Sequence, residues 1–341
     1  MSQTQPYISV VIYARNDDHG GNMLARMKSS VFGFLEQAEK YKLRSELIIS
    51  EWNPPRDKPR FKDVLALPTD LKYSKVRIIT VDPRYHECHK NSDKIFVYGT
   101  KAFNVGIRRA QGEFITTGTI DGLFSDELIE FLASGNLDKK AIYRTDRYDV
   151  NRDVVKQGST QEKLEYCKKN VIRVHGKNIE PWKINKAWSM HTNAAGDFVI
   201  MSRDLWHGMR GYPEFDLVGL RVDGFLCYIA AAMGAKEIIL SEPMRLYHID
   251  HDSVWKRAEH AWLKKMAPLI PPAVYHRLIA LIDRIFQGKS KLEKMGLKYI
   301  SYKEYQDIVI KMSQTRQIHM LNDEDWGLGR EKFEEFTVTS S

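Results

Sequence analysis

The sequence predicts an α/β fold built on a largely parallel sheet with helical crossovers. Three observations carry that prediction. Short β-branched runs recur through the first half of the chain, segments with apolar residues at helical spacing alternate with them, and polar or Pro/Gly-containing breaks separate the two. In sheets of this kind a ligand sits outside the carboxyl ends of the strands. Residues 14–17, 51–53 and 119–121 occupy those ends and are where functional side chains are expected.

The elements follow in order. Residues 8–13 (ISVVIY) read as a strand ending in the polar loop Ala14-Arg15-Asn16-Asp17. After Gly20-Gly21, residues 23–41 place Met23, Met27, Val31, Phe34, Leu35 and Ala38 on one helical face. Residues 46–51 form a second strand stopped by Asn53-Pro54-Pro55, and residues 76–81 a third stopped by Asp82-Pro83. Residues 101–111 read as a helix ending at Gly112, and 114–117 as a fourth strand. Ser125 is a fitting N-cap for the next helix, with Asp126 and Glu127 where the helix dipole favours negative charge.

Residues 143–186 are polar and irregular and are expected to form substrate-facing loops. A compact segment over 191–214 precedes a helix over 223–233 with a Gly234 stop, then a strand over 237–240. Towards the C-terminus, Val274, Leu278, Ile279, Leu281, Ile282, Ile285 and Phe286 make an apolar helical face expected to pack on the sheet domain. Ser301-Tyr302-Lys303-Glu304 fits a capping box for a helix over 305–312.

Composition narrows the class. Of 341 residues, 43% are hydrophobic and 28% charged, which is ordinary globular usage and excludes disordered and low-complexity classes. The 52 basic residues exceed the 44 acidic ones, a net charge of +8. That surplus suits nucleotides, phosphorylated lipids, nucleic acid or an anionic membrane equally. The Lys and Arg residues are dispersed, with no aromatic-basic RNA motif, so nucleic acid is not an expected partner. Three scattered cysteines, Cys88, Cys167 and Cys227, make a disulfide framework improbable. Residues 1–6 lack the basic and apolar regions of a signal peptide, and nothing approaches a membrane span. A soluble cytoplasmic protein is expected, with peripheral membrane contact through a basic stretch such as 256–265 left open.

Some residues stand out for their chemistry. Asp121 closes the fourth strand and its turn at the sheet's carboxyl edge, where a hard oxygen ligand suits Mg²⁺ or Mn²⁺ on a diphosphate, or caps the next helix. His248-Ile249-Asp250-His251 can share a metal in a turned segment, whereas in an extended strand the two imidazoles point to opposite faces. His86, Cys88 and His89 match no standard zinc spacing. Asp223 opens an apolar helix, as a cap or as a general base aimed into a cleft.

The combined pattern resembles nucleotide-sugar glycosyltransferases of the GT-A fold, particularly the family 2-like group, over roughly residues 8–252. Ser9-Val10-Val11-Ile12 is similar to that family's opening strand. Asn104-Val105-Gly106-Ile107-Arg108-Arg109-Ala110-Gln111-Gly112-Glu113-Phe114-Ile115 matches its N-x-G-x-x-x-A-x-G-E-Y-I pattern. Thr119-Ile120-Asp121 stands at its D-x-D motif, with the first Asp replaced by Thr. Gly196 to Arg203, with Trp206 and Arg210-Gly211-Tyr212-Pro213-Glu214, looks like its acceptor-side segment; there Val222 replaces an expected Glu ahead of Asp223.

The resemblance implies a Rossmann-like mixed sheet flanked by helices. It makes 1–252 the transferase domain, with a donor half to about 125 and an acceptor half beyond, and 253–341 a helical extension. It implies transfer of a sugar from a nucleotide-sugar, UDP favoured and GDP allowed, to a hydroxyl of a carbohydrate-containing acceptor. On this reading Asp121, His248 and His251 hold Mn²⁺ or Mg²⁺, and Asp223 is the base of an inverting displacement. Ala14, Arg15, Asn16, Glu51, Lys101, Asn104, Arg108, Thr119, Ile120 and Asp121 would meet the donor, and Asp197, Trp206, Arg210 and Glu214 the acceptor. Arg144 and Arg147 join Arg15 and Lys101 as candidate anion contacts, and Trp182, Trp188 and Trp206 as candidate sugar-stacking faces. The alternative is a catalytically degenerate domain serving as a carbohydrate-binding or scaffold subunit, which the losses at Thr119 and Val222 would suit.

Overall fold

The computed structural model describes residues 5–177, 183–216, 222–251, 297, 300–318 and 322–338. Strands β1 (Ile8–Ala14), β2 (Ser45–Trp52), β3 (Ser74–Val81) and β4 (Phe114–Thr117) pair in parallel in the order β4-β1-β2-β3. Helix α1 (Met23–Lys40) crosses from β1 to β2, and the short α2 (Phe61–Val64) lies between β2 and β3. Helices α3 (Pro83–Glu87) and α4 (Gly99–Arg109) lead to β4. Every residue of β2 is buried, as expected of a strand covered on both faces. Helix α4 lies so close to the sheet that a Cβ on Gly106 would stand 2.5 Å from Val11 Cγ1 and 3.0 Å from Ser50 Oγ. A glycine is needed there for contact, not for backbone freedom.

After β5 (Gly122–Phe124) comes α5 (Asp126–Ala133), capped by Ser125 Oγ, which accepts from the Leu128 amide at 3.2 Å. Strands β6 (Ala141–Thr145), β7 (Arg147–Val150) and β8 (Val171–His175) follow, with α6 (Thr160–Lys169) between the last two. Then come β9 (Val199–Ser202), α7 (Arg203–Gly208), α8 (Val222–Ala232), β10 (Lys236–Leu240) and β11 (Leu246–Ile249). Helix α9 (Tyr302–Thr315) and strand β12 (Glu334–Val338) complete the described chain.

The main sheet runs β10-β6-β9-β4-β1-β2-β3-β12, with β9 antiparallel to both β4 and β6, and β12 antiparallel to β3. A second sheet runs β5-β11-β7-β8. The expected mixed sheet flanked by helices is the architecture that forms.

Two expectations need correction. Residues 143–186 are not one irregular stretch: they contain β7, α6 and β8, and their polar residues satisfy one another across strands. Arg147 on β7 faces His175 on β8 in register, and α6 opens with a Ser159/Glu162 capping box. The C-terminal part is not wholly helical either, because β12 extends the main sheet. Helix α9 packs on α8, with the Tyr305 and Phe225 rings 4.9 Å apart. The apolar face of 274–286, the basic stretch 256–265 and Trp182 lie outside the described residues. Among the described residues no helix is long and apolar enough to cross a membrane.

Candidate functional site

Asp121 sits in the turn between β4 and β5, at the carboxyl end of the parallel strands. Strand β11 lies against β5 with His248 opposite Gly122, which brings His248 alongside Asp121. The Ile249 amide also donates to the Asp121 carbonyl at 2.9 Å. β11 ends at Ile249, and past its end His251 reaches the same carboxylate. The two-sided arrangement that an extended strand would impose is thereby avoided.

His248 Nε2 lies 3.4 Å from Asp121 Oδ1, and His251 Nε2 lies 3.1 Å from Oδ2. One ligand atom from each of the three residues falls within 4.8 Å of the others, the one grouping of this kind among the described residues. Asp121 is 4% exposed. Burial opposes its ionisation, but His248, His251 and Arg26 together outweigh that and hold its carboxyl well below the usual range. For His248 the balance is the mirror image. Burial lowers its pKa, the facing Asp121 and Asp149 carboxylates raise it, and the net shift is upward.

Arg26, on α1, reaches into the same centre. Its Nη1 donates to Asp121 Oδ2 at 2.5 Å, and Nε donates to the Gly21 carbonyl at 3.3 Å. Nη2 donates to the His19 carbonyl. One side chain thus ties the β1–α1 loop to the Asp121 carboxylate.

Asp223 opens α8. Its Oδ2 accepts from the Gly196 amide and its Oδ1 from the Gly224 amide, each at 3.0 Å. Burial, reinforced by repulsion from Asp197, raises its pKa despite those bonds and Arg144. Tyr13, at the carboxyl end of β1, packs edge-on against Phe103, the ring centroids 4.6 Å apart. Burial first, then the Asp197, Asp121 and Asp223 carboxylates, push its phenol up to about 12.

A charged network on the second sheet borders both. Arg147 pairs with Asp197 at 2.6 Å and with Asp149 at 2.9 Å, and His175 Nε2 lies 2.8 Å from Asp149 Oδ2. Burial opposes ionisation of Asp149, but His175, His248 and Arg147 hold it below the usual carboxyl range.

The other expected donor residues are placed differently. Ala14 is buried in the core at the end of β1. Arg15 Nε donates to the Asn53 carbonyl at 2.7 Å and Nη1 pairs with Asp17, while Asn16 donates to the Pro59 carbonyl at 2.9 Å. These contacts join the loops after β1 and β2. Glu51 is 1% exposed and accepts from the Phe61 amide, Arg60 Nε and Thr80 Oγ1. Lys101 lies 3.4 Å from Asp216. Thr119 Oγ1 is buried without a hydrogen-bond partner, its carbonyl accepts from Ser30 Oγ, and Ile120 packs partly buried against the core.

Asn104 and Arg108 do not face those loops. Asn104 is fully buried and grips Tyr212 and Glu214, while Arg108 donates to the Glu324 and Trp326 carbonyls. On the acceptor side, Trp206 is fully buried with Nε1 donating to the Ile115 carbonyl. Arg210 donates to the Asn322 carbonyl, and Glu214 accepts from the Gly327 amide. Trp206 thus packs in the core, and the other four tie 210–214 or the C-terminal segment to the rest of the fold; Asp197 alone of the acceptor set stands beside Asp223. Arg144 is also buried, on the His191 and Asn193 carbonyls, and Trp188 is partly buried against the core. Among the second histidine cluster, His86 accepts from Trp52 Nε1 and His89 pairs with Asp216.

Sequence reasoning missed Arg26, Tyr13, Asp149 and His175. One signal existed: Arg26 interrupts the apolar stripe of α1 between Met23 and Met27.

No protein-family model matches the chain, and no curated protein matches it either. Among solved structures it is similar to the mannosyltransferase PcManGT from Pyrobaculum calidifontis in complex with GDP-Man and Mn²⁺. That likeness has 15% identity and a TM-score of 0.42, over 92% of this chain and 74% of that one. It is also similar to the catalytic domain of Drosophila beta1,4galactosyltransferase 7 in complex with xylobiose, at 10% identity and a TM-score of 0.36 over 69% and 65%.

Proposed function

We propose that this chain is a GT-A-type glycosyltransferase that uses a divalent cation to move a sugar from a nucleotide-sugar to an acceptor hydroxyl. The observation that supports it most is the meeting of Asp121, His248 and His251 at the carboxyl end of the parallel strands. Two imidazoles and a carboxylate suit Mn²⁺ better than Mg²⁺, which prefers an all-oxygen octahedron. When bound, the cation neutralises the leaving diphosphate.

The chain's own residues do the rest. Asp223 takes the proton of the attacking hydroxyl, and burial beside Asp197 raises its proton affinity for that task. One base opposite the leaving group gives displacement with inversion. UDP remains the favoured nucleotide, with GDP as the competitor. Arg26 favours a second reading, in which it neutralises Asp121 permanently and the domain binds carbohydrate without catalysis.

The test is thermal unfolding with UDP, GDP and other nucleotides, with and without Mn²⁺, followed by hydrolysis of the matching nucleotide-sugars. A shift that needs Mn²⁺ and disappears in Asp121→Ala supports transfer. A shift with glycans alone, and none with any nucleotide and metal, supports the second reading and sinks the first.

A further inference from the structure

Asp149 and His248 occupy registered positions on the adjacent parallel strands β7 and β11, so both side chains rise from the same face of the small sheet. The two ring nitrogens of His248 are addressed from opposite sides. Nε2 faces Asp121 Oδ1, and Nδ1 lies 3.3 Å from Asp149 Oδ1. Asp149 is 8% exposed: its Oδ2 is bonded to His175 Nε2 at 2.8 Å, while its buried Oδ1 lies 2.9 Å from Arg147 Nε as an ion pair without completing a hydrogen bond. Arg147 in turn is fixed to Asp197.

His248 Nδ1 and Asp149 Oδ1 are both buried and neither completes a hydrogen bond, although they face each other. We infer that Asp149 is a positioning residue for His248: with a cation held by Asp121, His251 and Nε2, its Oδ1 would take the Nδ1 hydrogen and so leave the Nε2 lone pair to the metal. An imidazole can bind a metal through only one nitrogen while the other carries hydrogen, and the partner of that hydrogen sets both tautomer and ring plane. Arg147 is the brace behind it. Its guanidinium spans Asp149 and Asp197, and Asp197 neighbours Asp223, so one residue aligns the metal ligand and the base side. The inference rests on the metal-centre reading above.

The test is Mn²⁺ titration of the purified full chain, with free Mn²⁺ read by electron paramagnetic resonance. Wild type, Asp149→Asn, Asp149→Glu, Arg147→Lys and His248→Ala are compared, with thermal unfolding in EDTA as the control for folding. Wild type binds, His248→Ala loses binding, and Asp149→Asn raises the Kd about 10–100-fold, the usual cost of losing such a partner. Asp149→Glu restores part of the affinity, which a role in folding alone would not produce. Wild-type affinity in Asp149→Asn overturns the inference while leaving the metal centre intact. Should Asp149→Asn fail to fold, Arg147→Lys decides: a raised Kd supports the inference, and an unchanged Kd overturns it. If wild type binds no Mn²⁺ with or without nucleotide, the metal centre itself fails, and this role with it.

Discussion

Arg26 and Asp121 form a buried ion pair, Nη1 to Oδ2 at 2.5 Å, with side chains only 3% and 5% exposed. The pair joins α1 to the β4–β5 turn and leaves Oδ1 facing His248. It also places a fixed cation where a metal would share the same carboxylate. Removing either partner leaves the other charged and buried.

Arg26→Ala is therefore expected to cost about 3–5 kcal/mol of stability, the range for breaking a buried pair from one side. Added Mn²⁺ should recover more stability in this variant than in wild type, because the cation replaces the lost charge. Chemical denaturation with and without Mn²⁺ measures both effects.

Metal removal gives the second prediction. At about 100 times its Kd, Mn²⁺ with the matching nucleoside diphosphate adds about 2.7 kcal/mol to wild type. EDTA reverses the gain, Asp121→Ala abolishes it, and Mg²⁺ reproduces it only at much higher concentration.

Asp223 makes the pH dependence specific. Its raised pKa means that turnover rises with pH as the carboxyl loses its proton. Asp223→Asn removes that limb and lowers kcat by about 10²–10⁴-fold. Stability runs the other way. A carboxyl with a raised folded pKa contributes stability below its unfolded value, and that contribution is lost as pH rises through the folded one. The difference in stability between wild type and Asp223→Asn should therefore shift in favour of the variant from the ordinary carboxyl range upward. Unfolding curves across that range check the sign.

Asn104 is expected to behave as a clamp. Asn104→Ala leaves the buried Tyr212 amide without its acceptor, at about 1–3 kcal/mol, while the Tyr212 carbonyl keeps Asn322 and Glu214 keeps the Gly327 amide. Nucleotide affinity, measured by calorimetry, should stay at the wild-type value.

Gly106→Ala tests the closeness of α4 to the sheet. The added methyl overlaps Val11 and should destabilise by about 1–3 kcal/mol in thermal or denaturant unfolding.

How much of this was legible in the sequence follows from range. The parallel strands and their crossover helices could be read directly, because apolar periodicity is local: β1, β2, β3 and β4 lie within a residue or two of the runs that announced them. Ser125 and Ser301 likewise cap the expected helices, since a cap needs only the next turn. Asp121, Asp223, His248 and His251 could be nominated from residue type and position in a pattern. What they touch could not.

The rest depended on long-range contacts, because polar side chains take their roles from partners distant in the chain. Glu51 was nominated at a strand end and is taken up by Arg60, Phe61 and Thr80. Asn104 and Arg108 lie in the most recognisable run of the sequence and are used to hold 210–214 and the C-terminal segment. The β7 and β8 strands read as loop because Arg147, Asp149 and His175 find their partners in one another, in Asp197 and in His248, after the sheets have formed. Arg26 lies 95 residues from the carboxylate it neutralises. Local periodicity set the layers and residue type supplied the reactive groups; long-range packing selected which of those groups face the site and which hold the chain together.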